Sequence, residues 1–249
     1  MTPELRIAME KLAAREASKF RQYFPDTGPL RRALYPKHVA FMAAGAEHRE
    51  RVFLKANRVG GTDTAAYELT CHLTGLYPPW WTGRRFRKAI KAWAAGQTML
   101  TTRDIVQVAL LGPTDGVAGS QWRGMIPAEC VEHTTRKSGG VSLCLDQVLV
   151  THVSGGTSVL ELKSYDQGEV AFMGTVQEVV WCDEEPPEAV YTECLIRTMT
   201  SHGLIIATFT PLLGLTPFLQ NFLETAVMPH TDGTMRPATE AFWPDHVPV

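Results

Sequence analysis

The stretch Arg51-Val-Phe-Leu-Lys-Ala-Asn-Arg-Val-Gly-Gly-Thr-Asp-Thr64 collects the residue types that hold phosphate oxygens. The apolar run Val52-Phe53-Leu54 leads into a glycine turn, and Thr62-Asp63-Thr64 opens a segment with helical spacing. Strand, loop and helix start in that order make a phosphate-binding loop, because free N–H groups at a helix N-terminus point at an anion. The usual pattern is G-x-x-x-x-G-K-[ST]. Gly60 fills its second glycine position and Thr62 its hydroxyl position, but Gly61 stands where the lysine belongs and Lys55 where the first glycine belongs. The cradle is expected to run from Lys55 through Ala56, Asn57, Arg58, Val59, Gly60, Gly61 and Thr62 to Asp63. A donor aimed at developing charge is commonly worth about 3 kcal/mol, so the missing lysine needs a substitute. Lys55, folding back over the loop, and Arg58, inside it, are the two local cations. The opposing expectation is that Gly61 marks an impaired site, which Gly61→Lys would revive.

A second stretch completes the chemistry. In Gln177-Glu-Val-Val-Trp-Cys-Asp-Glu-Glu-Pro186 an apolar run ends in Asp183 and Glu184, and Pro186-Pro187 stops the strand at once. Asp183 suits a Mg²⁺ contact beside the Thr62 hydroxyl, and Glu184 suits the polarisation of an attacking water. Glu185, one position on, is a rival for that role. Thr208-Phe-Thr-Pro211 ends a third apolar run in two hydroxyls. Thr208 and Thr210 serve either as sensors of a terminal phosphate or as partners for loop backbone. Together these groups describe ATP hydrolysis with Mg²⁺.

The elements that position them read as alternating strands and helices. A helix is expected over 4–22, broken by Phe24-Pro-Asp-Thr-Gly-Pro29, and another over 36–46. His38 and Phe41 in the latter either touch a nucleobase or simply pack. Strands follow at 51–56, 91–95, 179–183 and 204–211, with helices at 62–74, 98–110 and 188–200 and a further start at Thr216-Pro217. Ser154-Gly-Gly156 joins two strand-like arms into an inserted hairpin, and 113–140 reads as loop. This is an α/β pattern: a mostly parallel sheet covered by helices, with ligand at the strands' carboxyl ends. The expected division is an N-terminal helical segment over 1–48, a core over 49–228, and a tail or linker over 229–249.

Bulk properties exclude more than they suggest. The 249 residues carry 24 Lys+Arg against 26 Asp+Glu, a net charge of −2, so any nucleic-acid contact must be local. The dense basic cluster is Arg84, Arg85, Arg87, Lys88 and Lys91 around Phe86, either a phosphate-backbone contact or a solvated face. No apolar run approaches a membrane span, and no signal-peptide pattern opens the chain. Five scattered cysteines show no C-x-x-C pair, and Cys130-x-x-His133 lacks a second ligand pair.

Four segments, Lys55–Thr64, Lys163-Ser-Tyr-Asp-Gln-Gly168, Val179–Pro187 and Ala207–Gly214, together resemble the ATPase domain of tailed-phage terminase large subunits. The likeness covers most of 30–225. It implies an ASCE-type, RecA-like P-loop NTPase that drives packaging of double-stranded DNA into a procapsid. It also implies portal protein and small terminase subunit as partners, a homo-oligomeric ring on the portal, and work in the host bacterial cytoplasm. Members usually read Asn-Arg-x-Gly-Lys-Thr, so Gly61 departs, though some carry the functional lysine at the loop start, where Lys55 stands. Relatives often place a basic residue after the Asp-Gln-Gly segment; here Glu169-Val170 follows, leaving Arg103, Arg123 and Arg136 as candidates for an arginine acting on a neighbouring subunit. Complete large subunits add a nuclease domain rich in metal-binding acids. Only Asp232, Glu240 and Asp245 follow Glu224, so no nuclease activity is expected. Rival readings are a helicase-like ATPase and a remnant that binds nucleotide or a partner without turnover.

Overall fold

The computed structural model describes residue 5 and residues 18–113, 123–212, 214–229 and 234–237. They fall into two compact units, 1–210 and 211–249. The boundary expected at residue 228 falls inside the second.

A seven-stranded sheet organises the first unit. Its strands are β1 (Glu50–Leu54), β2 (Lys91–Gly96), β3 (Val131–Arg136), β4 (Leu145–Thr151), β5 (Thr157–Ser164), β6 (Val179–Asp183) and β7 (Leu204–Phe209). They lie in the order β1-β7-β6-β2-β5-β4-β3. The first five are mutually parallel and the last two antiparallel. The hairpin is therefore real, and its second arm, β5, is also a member of the parallel sheet beside β2. Strand β3 corrects the expectation of loop over 113–140: Val-Glu-His-Thr-Thr-Arg has one apolar residue, and β4, which pairs along it, makes it a strand.

Helix α1 (Pro36–Ala43) precedes β1, and α2 (Gly61–Thr74) follows the loop. A helical run over 99–111, α3, contains a π-helical segment, Thr102–Gln107, and α4 spans Glu188–Met199. Thr98 caps α3 as expected, its hydroxyl accepting from the Thr101 N–H. Of the helix expected over 4–22, Lys19–Gln22 is observed; 6–17 lie outside the described residues.

The core forms because the central strands alternate between two covered faces. Ala92, Ala94, Val179, Trp181, Leu204 and Ile206 pack with Leu69 and Leu73 of α2, and with Phe20 and Phe24 ahead of α1. Cys182 on the other face meets Tyr191 and Cys194 of α4. Helix α2 is buried along nearly its whole length, so it carries polar groups that must be satisfied internally. Glu68 takes two bonds from Arg51, at 2.6 and 3.1 Å, and one from His72 at 3.3 Å. His72 Nδ1 meets the Tyr77 hydroxyl at 2.9 Å, which in turn accepts from the Phe86 N–H at 2.7 Å.

The second unit holds helix α5 (Pro217–Thr225) and the antiparallel pair β8 (Val227–Pro229) and β9 (Met235–Pro237). Thr216 caps α5 through the Leu219 N–H at 3.2 Å, with proline in the first turn as expected.

Candidate nucleotide site

All five parallel strands end on the same edge, and their carboxyl ends carry the polar groups. β1 leads into the loop at 55–60, β7 into Thr208–Thr210, β6 into Asp183-Glu184, β2 into Gln97-Thr98 and β5 into Tyr165–Gln167. The ladder between β1 and β7 continues to the loop's first residue, the Lys55 N–H donating to the Phe209 carbonyl at 3.1 Å.

The loop turns through left-handed backbone at Arg58 (φ 64°) and Gly60 (φ 82°), the latter capping α2. His38 Nε2 lies 2.8 Å from the Val59 carbonyl and so fixes the turn from outside. Gly61 leaves room for the Lys55 stem. A Cβ there would sit 2.1 Å from Lys55 Cδ and 2.8 Å from Cε, so the Lys55 stem occupies the space a side chain at 61 would take. The Lys55 ammonium lies 4.0 Å from Glu184 Oε1. The displaced cation thus returns over the very residue that replaced the usual lysine.

Asp183 is 3% exposed, and one carboxylate oxygen accepts from both Thr62 (3.1 Å) and Thr208 (2.9 Å). Thr208 also accepts from the Trp181 indole N–H at 3.0 Å. Burial pushes the Asp183 pKa up to about 6 despite the Thr208 hydroxyl and Lys55, with Glu184 adding to the rise. Thr210 donates to Asn57 Oδ1 at 3.0 Å, tying the end of β7 to the loop. Glu184 adopts φ 69°, and its N–H donates to the Thr208 carbonyl at 2.9 Å.

The sequence matches the family model described as terminase large subunit, T4likevirus-type, N-terminal, over residues 52–243. It is 34% identical over 209 residues to the terminase large subunit of Salmonella phage P22, covering 77% of this chain and 42% of that one. The chain belongs to the terminase large subunit family. Among solved structures, the large terminase of a thermophilic bacteriophage superposes with a TM-score of 0.52 at 11% identity, over 75% of this chain and 42% of that one. The Thermus phage P74-26 large terminase ATPase domain matches with a TM-score of 0.44 at 18% identity, over 72% and 66%. The fold is the expected mostly parallel α/β P-loop architecture. The chain spans less than half the length of its P22 relative.

In this terminase chain the loop, Asp183-Glu184 and Thr208–Thr210 converge as expected. Asp63 lies in the first turn of α2, paired with Lys19 at 2.6 Å. Beside the loop a cavity of about 550 Å³ is lined by Tyr23, Tyr35, His38, Arg58, Val59 and Asp63, among others. His38 therefore borders a space next to the loop, while Phe41 is buried beneath the Arg51 guanidinium. The basic cluster lies apart, at the amino ends of the strands: Lys91 opens β2, and Arg84 donates to the His202 carbonyl at 2.6 Å. Arg103 is engaged by Asp104 at 2.7 Å and by the Ser142 carbonyl at 3.0 Å; Arg123 and Arg136 are exposed. Among the described residues, no group of three His, Cys, Asp or Glu forms a metal cluster, and no helix is long and apolar enough to cross a membrane.

Sequence reasoning missed three contributors. Tyr165 donates to the Glu184 carbonyl at 3.0 Å, with the Asp183 carbonyl at 3.3 Å, and burial holds its phenol well above the usual range. Trp181 and Lys19 are the others. The Lys163–Gly168 motif was the available signal for Tyr165.

Proposed function

We propose that this chain is the ATP-hydrolysing part of a viral DNA-packaging motor, with Lys55 supplying the loop's cation. The observation that carries the reading is the Lys55 stem lying across Gly61. The loop backbone from Ala56 to Asp63 receives the phosphates at the N-terminus of α2. Lys55 neutralises charge between the β- and γ-phosphates, and Arg58 assists at the γ-phosphate. The cavity lined by Tyr23, Tyr35 and His38 receives the base. Glu184 accepts a proton from the attacking water, being the acid whose carboxylate faces Lys55. Thr208 and Thr210 relay the state of the terminal phosphate, through Asp183 and Asn57 respectively.

The residues fit Mg²⁺, because a buried carboxylate and a hydroxyl 3.1 Å apart form a hard-oxygen donor pair. Thr62 and Asp183 would hold the ion, which when bound neutralises charge on the phosphate oxygens. Double-stranded DNA, portal protein and small terminase subunit are the proposed partners. A ring on the portal, in the host cytoplasm, is the proposed setting. The basic cluster Arg84, Arg85, Arg87, Lys88 and Lys91 is the proposed DNA contact.

ATP turnover with Mg²⁺ tests the assignment. Lys55→Ala is expected to lower kcat at least a hundredfold, in keeping with about 3 kcal/mol for one aimed donor. Glu184→Gln is expected to do the same. Gly61→Lys alone should keep most of the activity, because the new side chain displaces the flexible Lys55 stem and brings its own ammonium. The double variant Lys55→Ala/Gly61→Lys should recover much of it. Full turnover by Lys55→Ala would sink the assignment.

A further inference from the structure

Glu184 sits in a backbone conformation that side-chain-bearing residues rarely adopt, with φ 69°. Such a residue persists only where its surroundings over-determine it. Three backbone groups around it are held. Its own N–H donates to the Thr208 carbonyl at 2.9 Å. The carbonyls on either side, of Asp183 and of Glu184 itself, both face the Tyr165 hydroxyl, at 3.3 and 3.0 Å. One phenol therefore grips the two peptides that flank the residue, and the turn cannot relax without giving up that bond.

Tyr165 comes from the far side of the site. It starts the turn after β5, and β5 is separated from β6 by β2. The ring reaches across about two strand spacings, close to 10 Å, to touch the end of β6. It is 6% exposed and packs against Phe172 at 6.4 Å between centroids. Its neighbours fix its origin: Ser164 and Gln167 cap the turn reciprocally, and the Met99 N–H donates to Asp166 at 3.2 Å. The segment is thus anchored beyond the carboxyl ends of both β2 and β5, and the Tyr165 side chain ends at the Glu184 backbone.

We propose that Tyr165 is a positioning residue that sets the aim of the Glu184 carboxylate by fixing its left-handed backbone. The proposal rests on Glu184 acting on the water in ATP hydrolysis. Tyr165 touches neither nucleotide nor water in this scheme, and its effect passes wholly through Glu184. Removing the hydroxyl should slow the chemical step and leave nucleotide binding alone.

The test is steady-state and single-turnover ATP hydrolysis by the full chain with Mg²⁺, alongside the Kd for ADP from titration calorimetry. Tyr165→Phe keeps the ring against Phe172 and removes the donor. The expected result is a kcat lowered at least tenfold, with KM for ATP and Kd for ADP within twofold of wild type. In a Glu184→Gln background, Tyr165→Phe should leave the residual single-turnover rate unchanged, because the residue it positions is already disabled. A kcat within twofold of wild type overturns the proposal. So does a parallel loss of ADP affinity, or a further tenfold loss in the Glu184→Gln background, either of which marks a general structural role. Wild type without ATPase activity would instead sink the underlying reading, leaving the two failures distinct. If Tyr165→Phe fails to fold, Tyr165→Met keeps an apolar side chain there without a donor and should lower kcat at least tenfold with Kd for ADP within twofold of wild type; a kcat within twofold of wild type overturns the proposal.

Discussion

Glu68 and Asp183 are both carboxylates shut away from water, and they are held in opposite ways. Glu68, on α2, is fully buried, and burial pushes its pKa up, but Arg51 and the bonds from Arg51 and His72 outweigh this and leave it below the usual range. Its partners are satisfied in turn: burial keeps His72 below its ordinary range, and so neutral, a donor to Glu68 and an acceptor from Tyr77. Asp183 has two hydroxyl donors and a lysine that interacts without pairing closely, and burial wins, raising it to about 6. One site is closed by the protein's own cation. The other has two hydroxyls and no closely paired cation, so burial prevails there.

The difference can be broken most decisively at Glu68. Glu68→Gln leaves the Arg51 guanidinium buried without its counter-charge, and should cost about 3–5 kcal/mol of stability. Urea unfolding would show this as a lower midpoint, and a loss under about 1 kcal/mol would remove the contrast.

Asp183→Asn should move stability the other way in the nucleotide-free protein. A folded pKa of about 6 lies above the unfolded value near 3.9. The carboxyl's favourable contribution is therefore full below about pH 4 and is lost as pH rises through 6. The neutral amide escapes that loss, so the variant should gain about 1–3 kcal/mol relative to wild type at pH 8 over pH 4. Thermal melts at both pH values, without Mg²⁺, measure the gain, and a pH-independent difference would contradict it. By the same sign, wild-type affinity for Mg²⁺-nucleotide should fall as pH drops below 6.

The smallest effect is expected at the third paired carboxylate of the region, Asp63, where both side chains are about a third exposed. Asp63→Asn should cost at most about 1 kcal/mol, and the cost should shrink with added salt. A larger, salt-insensitive loss would place Asp63 with Glu68 instead.

What the sequence made legible was local. Thr98 and Thr216-Pro217 announced their helix starts, and the apolar run before Asp183 announced a buried strand. That the Lys55 stem could fold back over Gly61 was also readable, because the two lie within one loop. The pairing that makes a strand of 131–136 was not readable, since its apolar support comes from β4. The same holds for Arg51 and Glu68, which looked like ordinary polar residues until the fold buried them together. Tyr165 is the sharpest case: the motif was visible, but a hydroxyl crossing β2 to reach Glu184 depends on strand order, which no local pattern encodes.

The position of β7 has a consequence for synthesis. It lies between β1 and β6, and its register pairs Glu50 with Ile205, roughly 155 residues apart, a pairing of the slow, non-local kind. Until Leu204–Phe209 has left the ribosome, β1 has no neighbour in the sheet and Asp183 lacks one of its two hydroxyls. A nascent chain therefore carries the phosphate loop and its acids long before it can join them. Nucleotide binding should switch on late and all at once, when the last of the seven strands slides into the gap.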